Sequence, residues 1–409
     1  MKALFGAEPH DPGRVSEEEV NVNPRGNSMQ KKALAVAIAS AVAVPLTANA
    51  VTSKISGHIN RAIRWIDDGQ GSEIQHFDNG NSRTRFRWVG SEKFGSGMSA
   101  GIYLEIAMAS NKSTSLASKF QRDGDGGDSF GGGATVSDAT AGPAGGENDL
   151  RHAAIWFKGG WGKVTLGHTS EATDVIQYND FSGTGLADLS AVTPEFNVTF
   201  RTTGGGCPTK AGGTQAAFSA ACIKVHDVFG TFDGSRLDNI RYNSPKFGPL
   251  SFAVSSANNS RWAYRLNLAS AIAGGKFKGS VGFTDKGSGS AGDIIHWSAS
   301  YLFSQGTSIT VAGTDVNDAG GDQAFYWYTK LAHKWGNNAI SASYATHTDQ
   351  GGADYDGQVI GVGFVHKIPK PGIELYAGYR NYSVDEVAGQ GGSIEDLNSV
   401  VVGSRIKFN

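Results

Sequence analysis

The sequence predicts an all-β chain that closes into a transmembrane, antiparallel up-and-down β-barrel of about sixteen strands. Three observations carry this: an export signal precedes the β-rich part, apolar and polar residues alternate at period two through most of that part, and the breaks between alternating segments are short and long by turns.

The export signal begins at Met29. Lys31 and Lys32 are followed by the apolar run Ala33 to Leu46 and then by Ala48-Asn49-Ala50, the charged start, apolar middle and small-residue cleavage site of a secretory leader. The run is shorter and richer in alanine than a spanning helix, which needs roughly 20 strongly apolar residues. Residues 1–28 are polar and carry Glu17-Glu18-Glu19 upstream of a complete signal. They read as a start codon placed too early, the alternative being a real extension that is disordered or removed with the signal. The chain therefore divides into residues 1–28, a signal peptide at 29–50 and one barrel domain at 51–409.

Alternation comes next. In residues 97–108, Met98, Ala100, Ile102, Leu104, Ile106 and Met108 form one apolar face, and Ser99, Tyr103 and Glu105 the other. In residues 261–272, Trp262, Tyr264, Leu266, Leu268 and Ile272 oppose Arg261, Arg265 and Asn267. Neither spacing is helical. The same count gives strands near 53–66, 82–90, 97–108, 149–158, 161–169, 236–245, 249–257, 261–273, 276–285, 293–304, 307–315, 322–335, 338–348, 357–368, 372–383 and 398–408. An even strand number is the habit of bacterial single-chain barrels, and a ring of this size keeps a watery lumen. The alternation has flaws: Arg61 falls on the apolar face of the first strand, and Ile294 and Leu302 on the polar face of the tenth. An arginine against lipid at mid-bilayer costs roughly 2–4 kcal/mol, so Arg61 is expected near a strand end or against a neighbouring subunit.

The breaks are an independent test. Every second one is short (91–96, 159–160, 246–248, 274–275, 305–306, 336–337, 369–371), as periplasmic turns are. Those between include 67–81, 109–148, 170–235, 286–292, 316–321, 349–356 and 384–397, with only Asn258 to Ser260 tight among them. Tryptophans and a tyrosine near strand ends (Trp65, Trp88, Trp156, Trp161, Trp297, Trp327, Trp335 and Tyr379) have the placement of interfacial girdles.

Composition fits this reading. Glycine supplies 57 of 409 residues, about twice the usual share, which points to many tight turns. A mean hydropathy of -0.27 does not argue against a membrane, because lipid-facing and water-facing side chains alternate. A net charge of -2 argues against a nucleic-acid partner. Cys207 and Cys222 lie in one glycine-rich segment and are expected to pair in an oxidising periplasm, the alternative being two unpaired thiols. A bridge over such a span stabilises its loop by ~3 kcal/mol.

Candidate functional residues follow from the same faces. Arg83, Arg85 and Arg87 share one side of the second strand and cannot face hydrocarbon, so they are expected to line a wet lumen, joined by Arg261, Arg265 and Arg380 as a basic wall. The longest break carries Asp174, Asp180, Asp188 and Glu195. If it folds inward, these carboxylates are expected to face the arginines across a narrow gap and set a transverse field. Gly127-Asp128-Ser129-Phe130 imitates an esterase signature without a paired histidine. Asp123, Asp125 and Asp128 lack the glycine and final glutamate of a calcium loop. The ten histidines show no metal-ligand spacing, so neither metal nor cofactor is expected.

Ser235 to Phe252 reads SRLDNIRYNSPKFGPLSF, with Arg236, Asn239, Arg241, Tyr242, Ser244, Pro245 and Gly248 in order. This stretch resembles the signature of the Gram-negative general porins, as do Arg85 through Gly97, Gly160 through Gly167 and the closing Val400 through Phe408. The resemblance implies a homotrimer of sixteen-stranded barrels in outer-membrane lipid, with the third outside loop folded into the lumen as a constriction. It implies passive diffusion of small hydrophilic solutes and ions, without catalysis. Two departures stand out: Asn409 follows the terminal aromatic residue, and the third loop is long and carries both cysteines, which makes a narrower or stiffer constriction. A substrate-selective channel, an outer-membrane barrel enzyme and a secreted adhesin remain as alternatives.

Overall fold

The computed structural model describes residues 51–95, 97–113, 129–130, 134–135, 148–192, 194–209, 222–287, 292–317, 323–350, 355–385 and 393–409. The barrel strands are β1 (Thr52–Asp67), β2 (Ser72–Asp78, continued by Arg85–Phe94), β3 (Met98–Met108), β4 (Asn148–Gly159), β5 (Gly162–Ser170), β6 (Arg236–Asn243), β7 (Leu250–Ala257) and β8 (Trp262–Ile272). They continue as β9 (Gly275–Asp285), β10 (Asp293–Leu302), β11 (Thr307–Asn317), β12 (Gln323–Trp335), β13 (Asn338–Gln350), β14 (Tyr355–Ile368), β15 (Ile373–Val384) and β16 (Leu397–Phe408). Each pairs antiparallel with the next, and β1 pairs with β16, Ala62 opposite Gly403, so the sheet has no free edge. In hydrocarbon that closure is what satisfies every strand's backbone.

The seventeen strand segments of this sheet make sixteen barrel strands because two lie in line on the same partner. On β1, His58 and Arg61 stand three positions apart. Their partners, Arg85 and Asp78, stand seven apart, so four residues loop out of β2. The excursion is a short helical turn, Gly80–Ser82; its middle residue Asn81 and the preceding Asn79 donate side-chain hydrogen bonds to the Leu186 carbonyl. The expected long break at 67–81 is therefore corrected: Ser72–Asp78 is strand, and the outside turn is only residues 68–71. The segment escapes a hydropathy count because Phe77 faces inward and is buried with Leu186 and Ala187, while His76 is exposed outside.

Faces are inverted relative to a water-soluble protein. Ile55, Ile59, Ile63, Leu266, Val281, Ile309, Leu331, Ile360 and Val402 are exposed on the outer surface, whereas Asn60, Ser280, Thr284, Ser298, Thr310 and Ser341 are buried inside. An apolar belt outside and a polar interior are what a lipid-embedded barrel requires. Trp65, Trp88, Trp161 and Trp335 are exposed in the outer girdles. Trp156 departs from that expectation: it faces the lumen, where Gly101 leaves room for its indole and the Lys163 ammonium lies 5.0 Å from the ring. Arg61 stands on the outer surface with its side chain 44% exposed. It donates to the carbonyl and hydroxyl of Ser110 at 2.8 and 2.9 Å and lies 3.9 Å from Asp78.

Candidate functional site

The site is the lumen, and its shape is set by the connection between β5 and β6, of which residues 171–192, 194–209 and 222–235 are described and pack against the inner wall of the barrel. Every described acidic residue singled out in this loop is turned into the wall. Asp174 accepts from Ser170 and lies 3.4 Å from Arg236. Asp180 is held by Lys330 at 3.0 Å and Thr310 at 3.3 Å. Asp188 accepts from the hydroxyls of Ser341 and Ser343 at 2.7 Å each, and Glu195 from Ser399 and Tyr382 at the same distance. Arg380 lies 3.7 Å from Glu195 and donates to the carbonyls of Leu189 and Ala191, while Arg64 caps that of Pro194. At the loop's start Glu171 takes both arms of Arg261 at 2.6 and 2.7 Å.

Glycines on β14 and β15 make the berth. A Cβ on Gly363 would sit 2.6 Å from that of Asp188, one on Gly361 2.9 Å from its carboxylate, and one on Gly378 2.6 Å from the Ala187 carbonyl. The carboxylates behave accordingly. Burial pushes the Asp180 carboxyl up, but Lys330 and the Ser182 hydrogen bonds outweigh it and hold it below its ordinary value. Asp233, at the loop's other end, is raised well above the carboxylate range by burial and by Asp174.

The loop runs along the wall from β6 and β7 round to β1 and the Ser72–Asp78 segment of β2, and leaves the Arg85–Phe94 segment of β2 with β3 to β5 facing the remaining opening. There Arg85, Arg87 and Arg151 converge on one carboxylate, Glu105, at 3.1, 2.6 and 2.7 Å, and the Tyr103 hydroxyl donates to it at 3.0 Å. Glu105 is 1% exposed, yet the Arg87 side chain is 42% exposed, so three guanidiniums share one buried anion and one of them meets the water. Tyr103 stacks on His152 with ring centres 4.4 Å apart, and the Arg87 guanidinium lies 5.6 Å from the tyrosine ring. Arg83 pairs with Asp149, which Lys112 also reaches. Arg241 bonds the carbonyls of Ser170 and Glu171, and Arg265 that of Asp174. Among the described residues neither has a carboxylate within 4 Å.

The sequence places acidic loop and arginine row on opposite sides of a gap. Among the described residues the two sets meet where Arg380 lies 3.7 Å from Glu195, buried behind the loop rather than lining the opening; the other loop carboxylates are bonded elsewhere on the wall, and Arg83, Arg85 and Arg87 to Asp149 and Glu105. A carboxylate this deeply buried needs a partner at contact distance, and the wall behind the loop supplies one. What remains is a wall of net positive charge beside a largely neutralised loop. Glu105 was legible as a polar-face residue, but Arg151 was not: it stands at a register shift between β3 and β4, Glu105 pairing with His152 and Ile106 with Leu150, and only that irregularity turns it towards Glu105. Lys330, on a strand that also carries Lys334, gave no local signal. Cys207 and Cys222 are disulfide-bonded, with Cα atoms 5.6 Å apart. The acidic stretch 123–128 lies outside the described residues, and among the described ones no cluster of His, Cys, Asp or Glu could hold a metal.

The model of the Gram-negative porin family matches residues 33–386. No curated protein is detectably similar in sequence. Among solved structures, the chain is similar to an anion-selective porin from Comamonas acidovorans, with 16% identity, a TM-score of 0.57, and 88% of this chain and 100% of that one covered. It is also similar to the outer-membrane expressed OmpT of Vibrio cholerae, with 12% identity, a TM-score of 0.51 and 89% and 99% covered. A mutant of the Rh. blastica porin gives 15% identity, a TM-score of 0.50 and 87% and 100% covered. These likenesses establish the fold, and the family model, spanning most of the sequence, establishes the lineage. The chain belongs to the Gram-negative porin family and is a multi-pass β-barrel channel of the outer membrane.

Proposed function

We propose that this channel passes small hydrophilic solutes and ions passively, down their gradients, without catalysis or cofactor, and that it favours anions over cations. The observation that carries the preference is the Arg85, Arg87 and Arg151 cluster on a single buried Glu105, with Arg241 and Arg265 beyond it having no carboxylate within 4 Å among the described residues. A fixed excess of positive charge along a narrow watery path attracts anions and repels cations. The sign agrees with that in the name of the Comamonas acidovorans porin, to which the fold is similar. Neutralising Arg83, Arg85 and Arg87 together to glutamine should move the reversal potential in a planar bilayer towards cations. An unchanged reversal potential rules that wall out.

The assembly proposed is a homotrimer. Arg61 on the outer surface, beside exposed His76 and among Ile59, Ile63 and Ile74, supports a protein neighbour on that face, since a guanidinium against lipid costs roughly 2–4 kcal/mol at mid-bilayer.

A further inference from the structure

We propose that the open wall of the lumen carries a binding track for small aromatic carboxylates, with the Trp156 indole as its seat. This rests on the channel reading above and names the class of solute that the same path holds longest.

Three rings share the inward face of β3 and β4. Strand pairing sets Trp156 opposite Gly101, Tyr103 opposite Ala154 and His152 opposite Glu105. The rings therefore climb the wall in consecutive rows, from the short-turn end to the arginine cluster, and each row of two residues rises about 6.6 Å. The lowest ring has a shaped berth: a Cβ on Gly101 would lie 2.4 and 2.6 Å from Cζ2 and Cε2 of the indole. His152 is buried and backs Tyr103, ring centres 4.4 Å apart. Trp156 and Tyr103 are only half-buried, so part of each ring stays uncovered. Neither ring faces lipid, and uncovered aromatic surface gains by meeting another ring.

Cations accompany the rings. The Lys163 ammonium lies 5.0 Å from the Trp156 ring and the Arg87 guanidinium 5.6 Å from that of Tyr103. Lys158 stands opposite Lys163, one row nearer the turn. Among the described residues neither lysine has a carboxylate within 4 Å, whereas Arg87 is bonded to Glu105 at 2.6 Å. An ammonium beside an indole in water is weakly held, so a flat ring can take its place on the indole. A carboxylate on that ring then keeps the displaced ammonium as its counter-charge. An aromatic carboxylate makes the stacking and the ionic contact together. Chloride and aliphatic anions make only the second, and an uncharged arene only the first. One row up, Tyr103 and Arg87 offer the same pair of contacts, so the solute passes between stations without leaving either kind, as multi-site conduction requires.

Block of the chloride current by added carboxylates in a planar bilayer reads this track. The probes are benzoate, cyclohexanecarboxylate and acetate; the second has the charge and bulk of the first without its flat ring. In the unmodified protein benzoate should half-block at a concentration roughly two- to tenfold below that of cyclohexanecarboxylate, and further below that of acetate. Trp156→Ala should remove the difference between the two ring acids, and Trp156→Phe should keep most of it. Lys163→Gln should raise the half-blocking concentration of all three anions by roughly twofold. Folding of each variant is checked by heat-modifiable gel mobility, and the comparison of the two ring acids on the unmodified protein decides even where a variant does not fold. Equal half-blocking concentrations for benzoate and cyclohexanecarboxylate overturn the track. A benzoate advantage that survives in folded Trp156→Ala overturns it as well. If the unmodified protein carries no chloride current, the channel reading itself fails.

Discussion

Arg87 and Glu105 are neighbours of opposite charge at the opening, so replacing each by glutamine makes a matched pair of tests. An ion passing about 6 Å from the Arg87 guanidinium gains or loses about 0.7 kcal/mol in water. Screening over a Debye length of about 10 Å at 0.1 M salt leaves about 0.4 kcal/mol. The effect has opposite signs for chloride and potassium, so the permeability ratio changes by about 0.8 kcal/mol, roughly fourfold, and low-dielectric walls make this a lower bound. Arg87→Gln should therefore lower the chloride-to-potassium ratio roughly fourfold and Glu105→Gln should raise it by a similar factor. The assay is the reversal potential across a planar bilayer under a KCl gradient. Shifts of the same sign in both variants, or none in either, would refute the electrostatic reasoning.

Other consequences follow from the same contacts. Lys330→Met strands Asp180 and Asp188; removing one member of a buried pair costs roughly 3–5 kcal/mol, so single-channel records should gain flicker and substates. Gly363→Val drives side-chain atoms into Asp188 and should lower the unfolding temperature on heat-modifiable gels, overpacking of this kind costing about 1–3 kcal/mol. For pH the two loop ends act oppositely. Asp180 has a depressed folded value, so its contribution to loop anchoring is fully present above its ordinary 3.8 and is lost as pH falls through the lower folded value; flicker should stay low from neutral pH down to that range. Asp233 has a raised value, so its charge disappears on milder acidification and chloride preference should rise before anchoring fails. Arg61→Leu should leave conductance per channel unchanged, and a shift in oligomer size on native gels would mark its face as the subunit contact.

The barrel was legible because lipid on one side and water on the other impose strict alternation, and because turns and outside loops differ in length. Where the lumen stops being watery, that logic fails. Phe77 points inward because Leu186 and Ala187 of the loop wait for it, which hid half of β2, and Trp156 faces inward over Gly101. The loop's anchors were illegible for another reason: Asp188 meets Ser341 and Ser343, and Glu195 meets Ser399, across long stretches of chain, and only closure of the barrel brings them together. The arginine row was visible as a face. The buried glutamate that organises it was not, since Glu105 looks like any polar residue on its strand until β2 and β3 are in register.

The most direct test of the whole account is a recording from the unmodified protein, purified in detergent and added to a planar bilayer under a KCl gradient. The account predicts stepwise, ohmic conductance that grows with salt and a reversal potential of the sign for chloride. A protein that inserts without conducting, or one that conducts potassium in preference, would contradict it.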